Sequence, residues 1–371
     1  MIHVASLAVP CLWQDFDTER WARIRARSEA WWNASLEGPL IQLLLAGPGQ
    51  PSAVEEREHH RHIARYGSRV SAEEIVETRA RALERVYHLG DACPVATFSP
   101  APVCAAAFLG CDCEVTRSSV WTRMEPSCDP AALSLRYDPD NAHLVRFRRV
   151  CRAAQARFGD RVLVPLPSLG HNLDLLAPFV DNNRLLVDLY DQPAEIERLV
   201  WEIHACWFDI VEDIDRALGR PVPGYAGFNL LYSSTPCYNL QCDFSAMIST
   251  EMFCRFALPE IVASARRLGR ATFHLDGPGM LPHLDSILEV PEIAGVQWVP
   301  GPMGGDVTRD IDIYRRIRKA GKRIELSGPP EHLDLLVDLL GSAEGVYFRC
   351  TPLPLDRAER AAEFLMRYGI E

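Results

Sequence analysis

Apolar runs recur at a regular interval through the second half of the chain. Four of them, rich in β-branched or aromatic residues, lie around residues 273, 297, 325 and 348. Spacings of about 24, 27 and 23 residues fit a repeating unit of one strand, one helix and two short loops. The segments between the runs have helical periodicity, and a glycine follows two of them where a C-terminal cap is expected. This alternation predicts a parallel sheet flanked by helices.

The first half of the chain is less regular but contains recognisable elements. Residues 94–99 and 162–168 are short runs of strand-forming residues that close in Pro, Gly or Ser. Residues 193–218 begin with proline and carry apolar residues at intervals of three and four, which predicts a long helix. Residues 19–90 read as helical, including a segment of mixed charge over 72–87. The pattern therefore predicts a helical N-terminal part followed by strand and helix units.

The length of the chain favours a closed barrel with an N-terminal addition. The chain has 371 residues, whereas a TIM-type barrel takes roughly 250. A doubly wound open sheet is the alternative, but no glycine-rich phosphate-binding sequence follows an early strand, and the repeating unit is regular. We expect an α/β protein in which a helical segment over residues 1–90 packs on a TIM-type (β/α)8 barrel over residues 91–371.

Composition limits the partners and the compartment. The formal net charge is −11, with acidic and basic residues interspersed, so nucleic acid and anionic membranes are not expected partners, because both require a basic patch. The N-terminus lacks a basic segment ahead of its apolar stretch, and no run of about 18 apolar residues occurs. Twelve cysteines are scattered through the chain, and without a secretion signal reduced thiols are favoured. We expect an unanchored cytoplasmic enzyme with a small-molecule substrate.

Polar residues at the ends of the predicted strands are the first candidates for chemistry, since barrel active sites form at the carboxyl ends of the strands. Those at the late strand ends are His274, Asp276, Gln297, Trp298, Glu325 and Cys350, and nearby segments add Gln241, Cys242, Asp243, His171 and Asn172. We expect catalytic roles for His274, Asp276 and Glu325. We expect substrate contacts from Gln241, Asp243, Trp298, Gln297, His171 and Asn172.

His274 and Asp276 are two residues apart, so a strand directs both side chains to the same face. As metal ligands they need a third partner, and Cys350, on a later strand, is a candidate thiolate donor. The alternative is a buried histidine oriented by Asp276, with Cys350 an inert thiol of the core. The spacing alone leaves both interpretations open.

Two other tracts resemble metal sites but are explained more simply. Cys111 and Cys113 lack a second cysteine pair at ligand spacing, which favours structural thiols. The spacing of His59, His60 and His62 does not place three imidazoles on one helix face, which favours a solvated polar helix. The chain also lacks a serine-nucleophile elbow, a Walker loop and an HExxH helix, so acyl transfer, nucleotide hydrolysis and zincin proteolysis have no motif support.

Three segments resemble the uroporphyrinogen decarboxylase superfamily, in particular its decarboxylase-like branch. They are SEAWWNASLEGPLI at 28–41, QCDFSAMISTEMFCRFALPEI at 241–261 and FHLDGPGMLPHLDSILEVPEIAGVQWVPG at 273–301. The resemblance implies a barrel, and either a decarboxylase or a zinc-dependent methyltransferase that uses a corrinoid protein. Residues 1–100 lack the arginine-rich RQAGR-type signature that holds porphyrinogen carboxylates in true decarboxylases, so heme synthesis is not expected.

The resemblance also implies a zinc site. Such methyltransferases bind zinc through an HxC pair at a strand end and a cysteine seventy to eighty residues later. His274 matches the histidine, Asp276 stands at the first cysteine, and Cys350 lies where the second is expected. A carboxylate in place of a thiolate makes the site harder. Asp276 is alternatively a proton-transfer group, with Glu325 or Cys242 completing the coordination.

Three functions follow as hypotheses. The first is a methyltransferase-like enzyme in which zinc activates a thiol, or a similar nucleophile, that accepts a methyl group from a corrinoid protein or a small methylated donor. The second is a metal-free decarboxylase or lyase in which Asp276 and His274 transfer protons. The third is a barrel that binds a ligand without catalysis.

Overall fold

The computed structural model describes residues 6–47, 62–117, 119–219, 224–301 and 306–371. The helices are α1 (Thr18–Trp32), α2 (Ala72–Leu83), α3 (Ala105–Phe108), α4 (Ala142–Phe158), α5 (Asn172–Val180), α6 (Asn182–Asp191), α7 (Pro193–Leu218), α8 (Thr250–Phe256), α9 (Leu258–Leu268), α10 (Leu284–Leu288), α11 (Ile311–Lys319), α12 (Pro330–Leu340) and α13 (Ala358–Arg367). Short 3-10 helices cover Trp13–Asp15, Ile63–Arg65, Asp243–Met247, Pro278–His283 and Leu355–Arg357.

Most strands belong to one large sheet. The strands are β1 (Leu40–Ala46), β2 (Val86–Gly90), β3 (Asp112–Val115), β4 (Val120–Arg123), β5 (Tyr238–Gln241), β6 (Ala271–Asp276), β7 (Ile293–Val299), β8 (Arg323–Gly328), β9 (Val346–Cys350) and β10 (Leu353–Pro354). The order in the sheet is β10-β1-β9-β8-β7-β6-β5, with every neighbouring pair parallel. Strand β2 adds to β1 antiparallel, and β3 and β4 form a separate hairpin.

The predicted parallel sheet flanked by helices is confirmed, and the structure is compatible with a TIM-like fold. Within the described ranges the strand pairings do not close the sheet into a barrel. Hydrogen bonds do link the segments that lie between β2 and β5. Ala96 donates to the carbonyl of Leu163 at 3.0 Å, and Leu166 donates to that of Ala226 at 2.9 Å. The predicted strands over 94–99 and 162–168 are reduced to isolated bridges, in which Val95 pairs with Leu163 and Ser99 pairs with His62.

Local sequence signals determine where several elements begin and end. Ser71 and Glu74 form a reciprocal capping box at the start of α2. Helix α7 begins with Pro193 and is followed by Gly219 in the left-handed conformation, which confirms the long helix predicted over 193–218. Gly341, also left-handed, caps α12 as predicted.

The N-terminal residues contribute strands as well as helices, which the sequence did not predict. The helix predicted over 72–87 ends at Leu83, and β1 and β2 both join the large sheet. Trp31, Trp32 and Leu40 are buried with Tyr347 in a cluster at the amino ends of the strands. His59 and His60 lie outside the described residues, and His62 is buried rather than on a solvated helix.

The register of the sheet aligns polar residues on neighbouring strands. Gln241, His274, Gln297, Glu325 and Tyr347 are paired in sequence across β5 to β9. Because side chains alternate along a strand, this row and the residues two positions away share one face. The apolar residues between them, such as Phe273, Leu275 and Phe348, are buried in the main core. The sheet therefore presents one polar face.

The rest of the described chain adds two simple facts. No described helix combines the length and apolar character needed to cross a bilayer. All twelve cysteines are free thiols in the structure.

Candidate active site

Asp243, His274 and Asp276 converge at the carboxyl ends of β5 and β6. One ligand atom from each residue lies within 4.8 Å of the other two, so one ion fits among them. The Nε2 atom of His274 lies 3.9 Å from a carboxylate oxygen of Asp276. Within the described ranges this is the one group of three or more His, Cys, Asp or Glu side chains with such spacing. We call these three residues the carboxylate–histidine cluster.

The chain geometry that brings the cluster together is local. Strand β6 ends at Asp276, and Gly277 then turns the chain with a φ of +85°, a conformation that favours glycine. The backbone N–H of Asp276 donates to the thioether sulfur of Met280 at 3.1 Å. Strand β5 ends at Gln241, and Asp243 opens the 3-10 helix that follows. Both carboxylates are therefore held at strand ends, as expected for a β/α fold.

His274 is oriented for its role by Gln297. Nδ1 of His274 lies 2.6 Å from Oε1 of Gln297, and because an amide oxygen only accepts, Nδ1 carries the proton. Burial lowers the pKa of His274 below its usual value despite the hydrogen bond to Gln297 and the nearby Asp276. The imidazole is therefore neutral at pH 7, with the Nε2 lone pair directed to the cluster. Metal-binding histidines have this arrangement.

Asp243 lies close to two other acidic side chains, and its own side chain reaches solvent. Desolvation of the Asp243 carboxylate by the surrounding protein and the negative charges of Asp174 and Asp276 raise the pKa of Asp243 to about 8. Gln241 Nε2 donates to Asp243 at 3.2 Å and to Asp174 at 3.3 Å, which holds the two carboxylates together. Crowded carboxylates of this kind gain stability when a cation or a proton reduces their repulsion.

Asp174 supports the loop that carries Asp243. One carboxylate oxygen accepts from the backbone N–H of Asp243 at 2.9 Å, and the other accepts from that of Phe244 at 2.8 Å. Asp174 is buried, and its pKa is raised by burial. The residue therefore fixes the first turn of the 3-10 helix after β5.

His171 and Asn172 are fully buried and hold the backbone of Gln241. Nε2 of His171 accepts from the Gln241 N–H at 3.2 Å, and Asn172 donates to the Gln241 carbonyl at 3.0 Å. Behind them, Nδ1 of His171 and of His204 lie 3.2 and 3.1 Å from the carboxylate of Glu260. The sequence predicts direct substrate contacts from His171 and Asn172, whereas the structure places both side chains behind the cluster, where they position β5.

Glu325 lies deeper in the polar face. Both of its carboxylate oxygens lie 3.1 Å from the Asn229 side-chain amide, which also donates to Thr272 at 3.3 Å. Burial raises the pKa of Glu325. The predicted catalytic residue is therefore held in an internal network, one strand beyond Gln297.

The structure does not bring the predicted cysteine ligands into the cluster. Cys350 follows Arg349 on β9, so it points to the opposite face of the sheet, where Phe348 packs against Phe364 of α13. Its thiol donates to the carbonyl of Thr351 at 3.2 Å, and burial raises its pKa to about 12. Cys242 is likewise fully buried in the core, next to but not within the cluster.

Trp298 also faces away from the site. It is buried, and its indole N–H donates to Asp310 at 2.9 Å on the outer side of β7. The side chain that was predicted to contact substrate therefore lies on the outer face of the sheet. Its neighbour Gln297 faces the cluster, because successive residues of a strand point to opposite faces.

A cleft of about 660 Å³ opens beside the cluster. Asp243 and Asp174 line one side of it, and Trp121 and Met124, on or next to the β3–β4 hairpin, line another. Trp121 is 60% exposed, and an exposed aromatic side chain of this size is common at ligand-binding clefts. The cleft gives a small molecule access to Asp243.

Several residues around the site carried no distinctive sequence signal. Asp174 is two positions beyond Asn172 in a helix, and Asn229 lies in an irregular segment. Glu260 appears in the sequence as an ordinary first-turn acid of α9. Arg349 precedes Cys350, and the strand-end rule could have selected it because it shares the inward face with Tyr347.

Comparison with known proteins supports the fold. No protein-family model and no curated protein sequence matches this chain. Among solved structures, a methyltransferase from Methanosarcina mazei superposes with a TM-score of 0.60 at 10% sequence identity. The match covers 93% of this chain and 98% of that chain. At this identity the likeness establishes a shared fold, and the resemblance to the uroporphyrinogen decarboxylase superfamily stays a prediction.

Proposed function

We propose that this chain is a metal-dependent, methyltransferase-like enzyme whose metal is held by Asp243, His274 and Asp276. The observation that carries the proposal is the convergence of one neutral imidazole and two carboxylates within 4.8 Å of one another. The full-length likeness to a methyltransferase supports the same reaction class through the fold. The ligand set differs from the one that the sequence resemblance implied, since Asp243 takes the place of Cys350.

The donor set suits a divalent ion of intermediate hardness. Zinc accepts imidazole nitrogen and carboxylate oxygen, and three protein ligands leave a position for substrate. Bound there, zinc would supply Lewis acidity that lowers the pKa of a thiol or similar nucleophile. We propose zinc as the first ion to test.

The surrounding residues have separate tasks in this proposal. Gln297 keeps the Nε2 lone pair of His274 available, and Gln241 and Asp174 hold Asp243 in place. The cleft beside Asp243 admits the substrate. We propose that the methyl donor is either a corrinoid on a partner protein or a small methylated compound.

The test is the metal content of protein purified without a metal-binding tag. We expect about one zinc per chain in the wild type, loss of zinc in Asp243→Asn and His274→Ala, and retention in Cys350→Ser. Loss of zinc in Cys350→Ser, with retention in Asp243→Asn, would instead support the ligand set of the sequence resemblance. Folded wild-type protein that takes up no metal after incubation with zinc would refute a metal-dependent mechanism.

A second candidate, a metal-free lyase, is favoured by the different proton affinities within the cluster. Asp243, with a pKa of about 8, holds a proton near neutrality, while the pKa of His274 is lowered. A protonated Asp243 can donate a proton and a neutral His274 can accept one, so the pair can act as acid and base in one reaction. Release of carbon dioxide from a small carboxylated substrate by metal-free protein would support this function. Ligand binding without product in either form would favour a non-catalytic barrel.

A further inference from the structure

Arg349 is a basic side chain of the polar face that the proposed mechanism does not use. It lies one residue before the end of β9 and is half-buried. Its Nη1 donates to the carbonyl of Asn229 at 3.2 Å. A guanidinium has five N–H donors in a planar fork, and within the described ranges this is its one hydrogen bond. The other guanidinium donors have no hydrogen-bond partner among the described residues.

The arginines at the other end of the sheet differ from Arg349. Arg270, just before β6, forms a two-pronged ion pair with Glu29 at 2.7 and 2.8 Å. Arg323, at the start of β8, donates to the backbone carbonyls of Ala294 and Trp32. Among the described residues, no carboxylate lies within 4.0 Å of the Arg349 guanidinium. The Arg349 guanidinium therefore has N–H donors that an anion can use.

Neighbouring contacts place Arg349 close to the cluster. The residue that accepts its hydrogen bond, Asn229, follows Phe228, whose ring packs edge-on against His274 at 5.5 Å between centroids. Glu325, an acidic residue of this network, accepts hydrogen bonds from the Asn229 amide. Tyr347, two residues earlier on the same face, donates to the Asn229 carbonyl at 2.9 Å. Arg349 and His274 therefore project from the same face of the sheet, and the 228–229 segment contacts both of them.

We propose that Arg349 forms an anion-binding subsite and that the substrate of this enzyme carries a carboxylate. A guanidinium binds a carboxylate through two parallel hydrogen bonds, which fixes orientation as well as position. With its carboxylate on Arg349, a small substrate has its other end beside His274 and Asp276. The inference rests on the proposed function, because it assigns a substrate class to the same site.

The experiment compares 3-mercaptopropionate with its methyl ester, which differ in the negative charge. Binding to cobalt-loaded protein is followed by the thiolate-to-cobalt absorption band. We expect the acid to bind the wild type about 10-fold or more tightly than the ester, since only the acid forms charge-assisted hydrogen bonds with the guanidinium. The preference disappears in Arg349→Gln and is reduced in Arg349→Lys. Arg315→Gln, an exposed arginine of α11, retains the full preference.

Each alternative outcome decides a different question. Equal affinities for acid and ester in the wild type, or a preference that persists in Arg349→Gln, overturns the subsite. If Arg349→Gln does not fold, the Lys variant decides, because it keeps the charge and loses the fork. If the wild type binds no cobalt, the metal proposal fails, and propionate binding to metal-free protein, followed by ligand-observed NMR, tests Arg349. In that case propionate binding that is weakened in Arg349→Lys supports the subsite, and absent or unchanged binding overturns it.

Discussion

At the scale of single residues, the site depends on alternation along a strand. Gln297 and Trp298 are adjacent on β7, yet one holds His274 and the other donates to Asp310 on the outer side. The same rule separates Arg349 from Cys350 on β9. The sequence places both members of each pair at a strand end. Which side of the sheet each side chain occupies follows only from the pairing register of the strands. This is why the sequence selected Gln297 and Trp298 together.

Replacement of Gln297 by leucine should weaken metal binding without removing a ligand. The variant leaves the Nδ1 proton of His274 without its acceptor, so the ring loses its fixed tautomer and orientation. Loss of such a partner typically reduces metal affinity about 10–100-fold. Zinc affinity is measured by competition with a chromogenic chelator. Trp298→Phe is the matched control, since its position faces away, and an equal loss in both variants would contradict the assigned role of Gln297.

Glu260 should make the stability of the protein sensitive to acid. Burial raises its pKa, but hydrogen bonds from His171, His204 and Ser264 lower it by more, to below its usual 4.5. A lowered folded-state pKa contributes stability above pH 4.5 that is lost as the pH falls further. We expect Glu260→Gln to lower the free energy of unfolding by about 3 kcal/mol at pH 7.

The pH profile of that difference is the informative measurement. Urea unfolding of wild type and Glu260→Gln from pH 7 to pH 3 should show a gap that is constant above pH 4.5 and narrows below it. The exposed carboxylate Glu251, replaced by glutamine, is the control and should show no such narrowing. A gap independent of pH would mean that Glu260 acts through packing rather than through its charge.

At the scale of elements, two short 3-10 helices meet at the site. Helix Pro278–His283 follows β6, and helix Asp243–Met247 follows β5. They approach so closely at Gly279 that an added Cβ would lie 2.9 Å from the Cβ of Ala246. His283 strengthens the contact, since its Nε2 lies 2.8 Å from the carbonyl of Ser245. The position of Asp243 therefore depends on the loop after β6.

Gly279→Ala should displace Asp243 and reduce metal affinity. The new methyl group overlaps Ala246, and the 3-10 helix must shift to accept it. Gly269→Ala is the matched control: its φ of +79° strains alanine by about 1–2 kcal/mol, but open space surrounds the position. Both variants should lower the melting temperature, and only Gly279→Ala should weaken zinc binding in calorimetric titration. Equal zinc affinity in the two variants would contradict this coupling.

The elements also show which parts of the fold the sequence contained. Strands β6 to β9 were predicted because each is a dense apolar run at a regular spacing, buried on one face and bounded by helices. Strand β1, LIQLLLA, was missed because it lies within a segment of helical periodicity and pairs with distant residues of β9 and β10. Asp243 was selected as a substrate contact, and its approach to His274 depends on the β5–β6 register. Such nonlocal contacts leave no local sequence pattern.

At the scale of the whole molecule, the N-terminal residues are joined to the strands that carry the site. Arg270, just before β6, pairs with Glu29 of α1, and Arg27 pairs with the buried Asp91 at 2.6 Å. The backbone carbonyl of Trp32 accepts from Arg323 of β8. Because β1 and β2 also belong to the large sheet, the chain on either side of residue 90 shares one core.

Trp31→Ala should therefore destabilise the whole protein in one step. Trp31 is 1% exposed and packs against Trp32 and Tyr347, so its removal leaves a cavity between α1 and β9. Loss of a buried tryptophan costs about 3–5 kcal/mol. Unfolding followed by far-UV circular dichroism and by zinc release should give coincident transitions, both shifted to lower denaturant. A variant in which an early transition leaves zinc bound would show instead that residues 1–90 unfold separately and that the sheet around the cluster is stable without them.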